Sequence, residues 1–325
     1  MASIHSDSVK VFRVDGMQNT PFINQNALKI LSEQGIIVVD DIQDSHILVA
    51  QDHRKLLPYL FKYKKQKKYF IWTHEPRSNT HFSQEKKVLW GLPSIHIMNV
   101  YTGDIYINNF TVWGYCIDRA LQPLNANNFN FRHKKVVALM SYYKGGKKNS
   151  LRKNGQELDL TQLRQEIALY GQEINRLDIY GRGWKEGVSL ENSRLGQWRS
   201  RKQEILQNYH LNLSFENTNT AHYVTEKIWD SIKSYCLPIY YGHNNTIYET
   251  FPQNSFLDYS NFQHPQELFR WIDDLSVEEF VARLNLCIHV FNDFYEKGHT
   301  YWSALYIEML QKTAKRLIDI AMAAH

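Results

Sequence analysis

Residues 211–242 read LNLSFENTNTAHYVTEKIWDSIKSYCLPIYYG. The apolar run from Leu211 to Phe215 has strand length and ends in a polar loop from Glu216 to Tyr223. Thr225 is a good N-cap for a helix over Thr225 to Tyr235, and Pro238 to Tyr241 is a second short apolar run. Strand, loop, capped helix and strand is the repeating unit of α/β proteins. The first-turn N–H groups of such a helix lack intrahelical partners and stand at the positive end of its dipole, which makes an anion site. Lys227 adds a cation there, and Asn217 and Glu226 offer polar groups for sugar or ribose hydroxyls. The same residues also read as a plain capped helix, with Thr225 capping, Glu226 complementing the dipole and Lys227 solvated.

The alternation extends in both directions. Val9 to Val14, Gly35 to Val39, His46 to Ala50 and Lys68 to Thr73 read as strands, with helices over Ala27 to Gln34 and Arg54 to Lys65. A second series has strands over Lys135 to Tyr143, Leu177 to Tyr180 and Ser255 to Tyr259, and helices over Thr161 to Ile174, Pro265 to Leu275, Val277 to Phe294 and Tyr301 to Ala324. Between the two series, Cys116 to Arg132 is rich in Asn, carries Pro123 and lacks periodicity, as a linker does. The expected class is α/β, with two Rossmann-like domains over 1–130 and 131–325 facing a cleft at their strand exits, and a last helix able to pack back across both.

The bulk composition agrees. At 325 residues the chain is long for one domain, and 43% hydrophobic with 22% charged residues excludes disordered and low-complexity classes. Its net charge of +5 suits an anionic ligand as well as nucleic acid. Cys116, Cys236 and Cys287 are odd in number and far apart, which argues against a disulfide framework or a closed zinc site and for reduced thiols. The polar stretch Met1 to Asp15 has no signal h-region, and no run approaches 18 apolar residues, so a cytoplasmic location is expected.

In order and identity, the quoted stretch resembles the signature of the α1,3/4-fucosyltransferases, glycosyltransferase family 10. That signature has F-E-N-S, then a Tyr, T-E-K before a helix, and a P-(I/V)-x-x-G strand. Here Phe215, Glu216 and Asn217 precede Thr218 where the family has Ser, and Tyr223, Thr225, Glu226, Lys227, Pro238 and Gly242 match. Asp178 to Gly183, with Tyr180 and Arg182, is similar to the family's V-D-V-Y-G-x-G element. Arg164 stands where the family has a phosphate-contacting Arg, and Arg152, in the long loop after Tyr143, is its rival. Tyr248, Glu249, Pro252, Ser255 and Phe256 continue the likeness, which is dense from about Val136 to Tyr259 and thin elsewhere.

The resemblance implies a GT-B enzyme using GDP-fucose, with no obligatory cofactor or metal. Arg164 and Lys227, with the amides near Thr225, would neutralise the diphosphate, while Asn217, Tyr223 and Glu226 would hold hydroxyls. An inverting transfer also needs a base for the acceptor hydroxyl. Glu75, in WTHEPR after the buried strand, matches the family's proposed base, with His74 as the alternative; read without the family, Glu75 is a loop carboxylate. Asp104, in TGDIY, stands at the family's S-D-I-F element and reads equally as a turn residue after Gly103. The acceptor implied is a glycan, α1,3- or α1,4-fucosylated on a GlcNAc-containing unit. The alternatives are a transferase of another GDP-sugar and a non-catalytic glycan or nucleotide binder.

The basic runs KYKKQKKY (Lys62 to Tyr69), RHKK, KGGKK and RSRK permit nucleic-acid contacts. The better reading gives the lysines of the first run to helix C-terminal carbonyls and to shielding the buried strand, so no nucleic-acid partner is expected. The final helix combines Leu305, Leu310, Leu317 and Ile320 with Lys312, Lys315 and Arg316, which permits peripheral membrane contact but suits packing across the domains better. Oligomeric state has no signal in the sequence.

Overall fold

The computed structural model describes residues 8–14, 16–105, 116–193 and 196–323. The chain divides into two compact units, Met1–Phe110 with Tyr301–His325, and Thr111–Thr300. Each is built on a mainly parallel sheet, so the α/β class with two Rossmann-like halves is what the chain adopts.

In the first unit β1 (Val9–Arg13), α1 (Gln25–Glu33), β2 (Ile36–Val39), β3 (Ile47–Ala50), α2 (His53–Tyr63), β4 (Lys68–Thr73), β5 (Glu85–Lys86) and β6 (Ile95–Asn99) give the strand order β2-β1-β3-β4-β6-β5. Only the β5–β6 pair is antiparallel. The strand period of two appears directly in β4. Phe70 and Trp72 enter one core, with Leu31 and the late-chain Leu310, Ala314 and Leu317, while Tyr69 and Ile71 enter the other, with Leu56 and Leu60 of α2. Trp72 Nε1 donates to Thr313 Oγ1 at 3.2 Å, which ties the last helix to this sheet. The apolar side of that helix is therefore part of the first unit's core.

Two lysines of KYKKQKKY are structural, though not through the C-terminal carbonyls of the helix that the run itself closes. Lys67 is buried and its Nζ donates to the carbonyls of Gln43 (2.9 Å) and Ser45. Lys68 Nζ caps the closing helix through Ile320 O at 2.7 Å and Ala321 O at 3.1 Å.

In the second unit, β7 (Val136–Leu139) is followed by a hairpin of β8 (Arg152–Lys153) and β9 (Gln156–Glu157), then α3 (Thr161–Glu173), β10 (Leu177–Tyr180) and α4 (Trp198–Leu206). Next come β11 (Leu211–Leu213), α5 (Glu226–Lys233), β12 (Leu237–Tyr240), β13 (Leu257–Asp258) and α6 (Pro265–Asp274). The sheet order is β10-β7-β11-β12-β13, all parallel. A long helix, α7 (Val277–Met322), is broken at Gly298, where φ is 66° and ψ is −173°.

The Asn-rich segment read as a linker is fastened to this unit. Leu121 and Asn292 exchange bonds of 2.8 Å in both directions, and Leu124 and Asn285 do the same at 2.8 and 2.9 Å. Two asparagines of α7 thus hold backbone groups of the segment, while Phe129 stacks on Phe280 and Phe131 meets the same ring edge-on. All three cysteines are free and buried. Among the described residues no helix is long and apolar enough to cross a membrane.

Candidate functional site

In the second sheet β7 lies between β10 and β11, so the chain leaves β7 toward one side and returns on the other. The carboxyl ends of β7 and β11 thus flank a topological switch point, the place where open α/β sheets form ligand crevices. A small cavity sits there. Leu139 and Met140 at the exit of β7 line it, with Asn212 to Phe215 at the exit of β11 and three cations, Arg164, Lys202 and Lys227.

Glu216 organises the loop beside it. Its side chain is 2% exposed and accepts from Thr225 N at 2.8 Å, from Thr225 Oγ1 at 2.8 and 3.0 Å, and from Lys227 Nζ at 2.8 Å. Tyr240 OH, from β12, reaches the same carboxylate at 3.5 Å. Thr225 occupies the N-cap position expected of it, but its hydroxyl turns to Glu216 instead of the helix amides. A buried carboxylate needs this degree of satisfaction, and in return it fixes the start of α5.

Charge is balanced locally. Burial lowers the Lys227 pKa, but Glu216 and Glu226 outweigh it, so the ammonium is held above its ordinary range. Burial raises the Glu226 pKa, yet Lys227 and then Lys202 outweigh it and hold the carboxyl down at about 2. Arg164, in the first turn of α3, is 8% exposed. Burial pulls its pKa down against the field of Glu216. Its Nη1 donates to Phe215 O at 3.4 Å, while its Nε is buried with no hydrogen-bond partner. A guanidinium with an unused buried N–H, lining a cavity with two ammonium groups, is built for an anion with several oxygens.

The other residues singled out from the sequence fall as follows. Asn217 is part-buried beside the pocket, its Oδ1 lacking a hydrogen-bond partner, and its carbonyl accepts from Leu160 N at 3.1 Å. Tyr223 is 4% exposed in the loop ahead of α5. Arg152 stands apart, its side chain 70% exposed on the hairpin and 3.4 Å from Glu157. Tyr180 closes β10 with its OH 3.2 Å from Tyr209 OH, and Arg182 is exposed, its carbonyl accepting from Tyr142 N. Between them Gly181 is required by closeness: a Cβ there would lie 2.1 Å from Met140 O.

In the first unit, Glu75 is exposed just past β4, its N–H donating to Thr73 Oγ1 at 3.0 Å. His74 is packed edge-on against Trp72 at 5.7 Å, and burial takes its pKa down to about 4, so it is neutral near pH 7. Asp104 follows Gly103, whose φ is 76°, and accepts from Gln84 Nε2 at 3.4 Å. Among the described residues no cluster of three or more His, Cys, Asp or Glu has metal-holding geometry.

Sequence reasoning passed over Lys202 and its partner Asp230. In the sequence Lys202 reads only as one residue of the basic run RSRK, although Ile205 and Leu206, three and four residues on, give the helical period that turns it inward.

Comparison with known proteins bears on the same region. Residues 148–282 match the model of the glycosyltransferase family 10 (fucosyltransferase) C-terminal part. A human 4-galactosyl-N-acetylglucosaminide 3-alpha-L-fucosyltransferase is 30% identical over 105 residues, 31% of this chain and 26% of that protein. A human 3-galactosyl-N-acetylglucosaminide 4-alpha-L-fucosyltransferase is 30% identical over 105 residues, again 31% of this chain and 26% of the relative. The match therefore spans about a quarter of the length of these curated relatives. A solved alpha1,3-fucosyltransferase is similar over 93% of both chains, with a TM-score of 0.48 and 18% identity.

Proposed function

We propose that the protein transfers L-fucose from GDP-fucose to a hydroxyl of a glycan, a reading supported by the match of residues 148–282 to the model of the glycosyltransferase family 10 (fucosyltransferase) C-terminal part. The observation that carries this reading is the pocket at the switch point of the second sheet, where Arg164 and Lys227 face one small space at the strand exits. Those are the two cations that the family resemblance assigns to the diphosphate.

In this account the GDP part of the donor binds the second unit. Arg164 supplies a fork of N–H donors and Lys227, held by Glu216, a fixed positive charge. Both strengthen as the diphosphate leaves and gains charge, so their effect falls mainly on the transition state. Asn217, Tyr223 and Glu226 serve ribose or fucose hydroxyls. Glu75 takes the proton of the acceptor hydroxyl as that oxygen attacks the anomeric carbon from the face opposite the departing GDP. One C–O bond forms, one breaks, and the configuration inverts to give an α-fucoside. By likeness to its relatives, the acceptor is a glycan containing N-acetylglucosamine.

The test is an incubation of the full chain with GDP-fucose and a panel of N-acetyllactosamine-type glycans, read by mass spectrometry. Gain of one deoxyhexose with release of GDP supports the proposal. Transfer only from a different GDP-sugar would replace fucose as the donor sugar, and binding without turnover from any donor would leave a non-catalytic binder.

A further inference from the structure

Of the basic run RSRK, one residue does not behave as surface charge. Arg201 points outward on α4, pairing with Glu191 at 2.7 Å and Glu204 at 3.0 Å. Its neighbour Lys202 is turned inward, on the side of Ile205 and Leu206, which enter a core with Val137, Tyr209 and Cys236. The Lys202 side chain is 13% exposed and is ion-paired to Asp230, which is 10% exposed. Asp230 in turn sits three residues after Lys227 on α5, so one helix presents Lys227 and holds the carboxylate that anchors Lys202. The second oxygen of Asp230 accepts from the Cys116 thiol at 3.5 Å.

A buried ion pair is a poor device for stability, because taking both charges out of water costs about as much as their attraction returns. This pair lies against the cavity that Arg164 and Lys227 line, and Lys202 is one of the cavity's walls. An ammonium carries three N–H donors, and one carboxylate oxygen leaves it able to serve a second acceptor. Resting on the donor reading given above, we infer that Lys202 is a third cation of the diphosphate subsite and that Asp230 is its positioning residue. The pocket then has three cations in its lining, Arg164, Lys202 and Lys227, paired with three carboxylates, Glu216, Glu226 and Asp230. The set is neutral and fixed before the donor enters, and the leaving diphosphate meets charges that need no reorganisation.

The pairing makes an asymmetric prediction. Removing Lys202 alone deletes one cation and also leaves Asp230, behind the subsite, as an uncompensated buried carboxylate. Removing both deletes the cation only. The experiment measures Kd for GDP and for guanosine, which lacks the diphosphate, on the full chain and on Lys202→Met, Asp230→Asn and the double variant. The wild type binds GDP more tightly than guanosine. That preference should fall by about tenfold in the double variant and by more in Lys202→Met, with guanosine affinity unchanged in both. If Lys202→Met does not fold, the double variant carries the test, because it leaves no unpaired buried charge. An unchanged GDP-to-guanosine ratio in the double variant overturns the inference and leaves the donor site standing. A wild type with no preference for GDP over guanosine overturns the donor site itself, and this inference with it.

Discussion

Lys227 Nζ lies 2.8 Å from a carboxylate oxygen of Glu216, joining the loop after β11 to the first turn of α5. The two residues are eleven apart in sequence, and the same carboxylate holds the N–H and the hydroxyl of Thr225. Glu216 is therefore the residue that shapes the loop, and Lys227 is the cation it orients. Glu216→Gln should keep the fold but lose the charge that fixes Lys227. The expected result is GDP-fucose affinity lowered about tenfold and a reduced melting temperature. Calorimetric titration beside thermal melts checks it, and unchanged affinity would detach Glu216 from the donor site.

The two arginines that competed for the diphosphate differ in burial, and they should differ in effect. Arg164→Met removes a guanidinium that lines the pocket and has an unused buried N–H, so GDP binding should weaken tenfold or more by about 1.4 kcal/mol per decade. Arg152→Met removes an exposed side chain from the hairpin and should leave GDP affinity within about a factor of two. The reverse ranking in a titration would exchange their roles.

Glu75 and the donor residues should separate chemistry from binding. Glu75→Gln should lower transfer by on the order of a hundredfold or more while GDP-fucose affinity stays close to wild type. Lys227→Ala should weaken binding and transfer together. Near-normal turnover by Glu75→Gln would move the base elsewhere.

Acid should destabilise the fold in a defined window. Burial takes His74 down to about 4, and His210 to about 4 through burial, then Arg132 and His133. The unfolded chain protonates these imidazoles near their ordinary 6.5, so it binds more protons than the folded state between those values. Stability should fall as pH drops from about 6.5 toward 4. Glu226, held at about 2, adds a further loss below its ordinary 4.5. Melting temperatures from pH 7 to 4 check the slope, and His74→Phe should reduce it across the window from about 6.5 to about 4. A slope unchanged by that substitution would place the His74 ring in water.

Much of this was legible in residue order, because buried parallel strands are short apolar runs. KYFIWT reads as a strand over Lys68 to Thr73 and forms one over those residues, as does LDIY over Leu177 to Tyr180. The start of α5 was equally plain, since Thr225 and Glu226 are cap and first-turn residues. The hairpin after β7 was not read, although Asn154-Gly155, with φ of 51° and 82°, is a strong two-residue turn signal. The segment read as a linker is fastened to the second unit in a way its own residues do not announce, because the backbone groups of Leu121 and Leu124 pair with asparagines of α7 more than a hundred residues away. Lys202 was hidden for a related reason. Arg199 and Arg201 beside it are charged, and the Ile205 and Leu206 spacing that turns Lys202 inward does not reveal its partner Asp230, which the fold brings up from another helix.

The measurement that bears most directly on the account is a calorimetric titration of the full chain with GDP-fucose, GDP-mannose and UDP-GlcNAc, since donor binding needs no knowledge of the acceptor. The account predicts binding of GDP-fucose in preference to the other two, lost in Arg164→Met. Preference for UDP-GlcNAc, or no heat with any of the three, would contradict it.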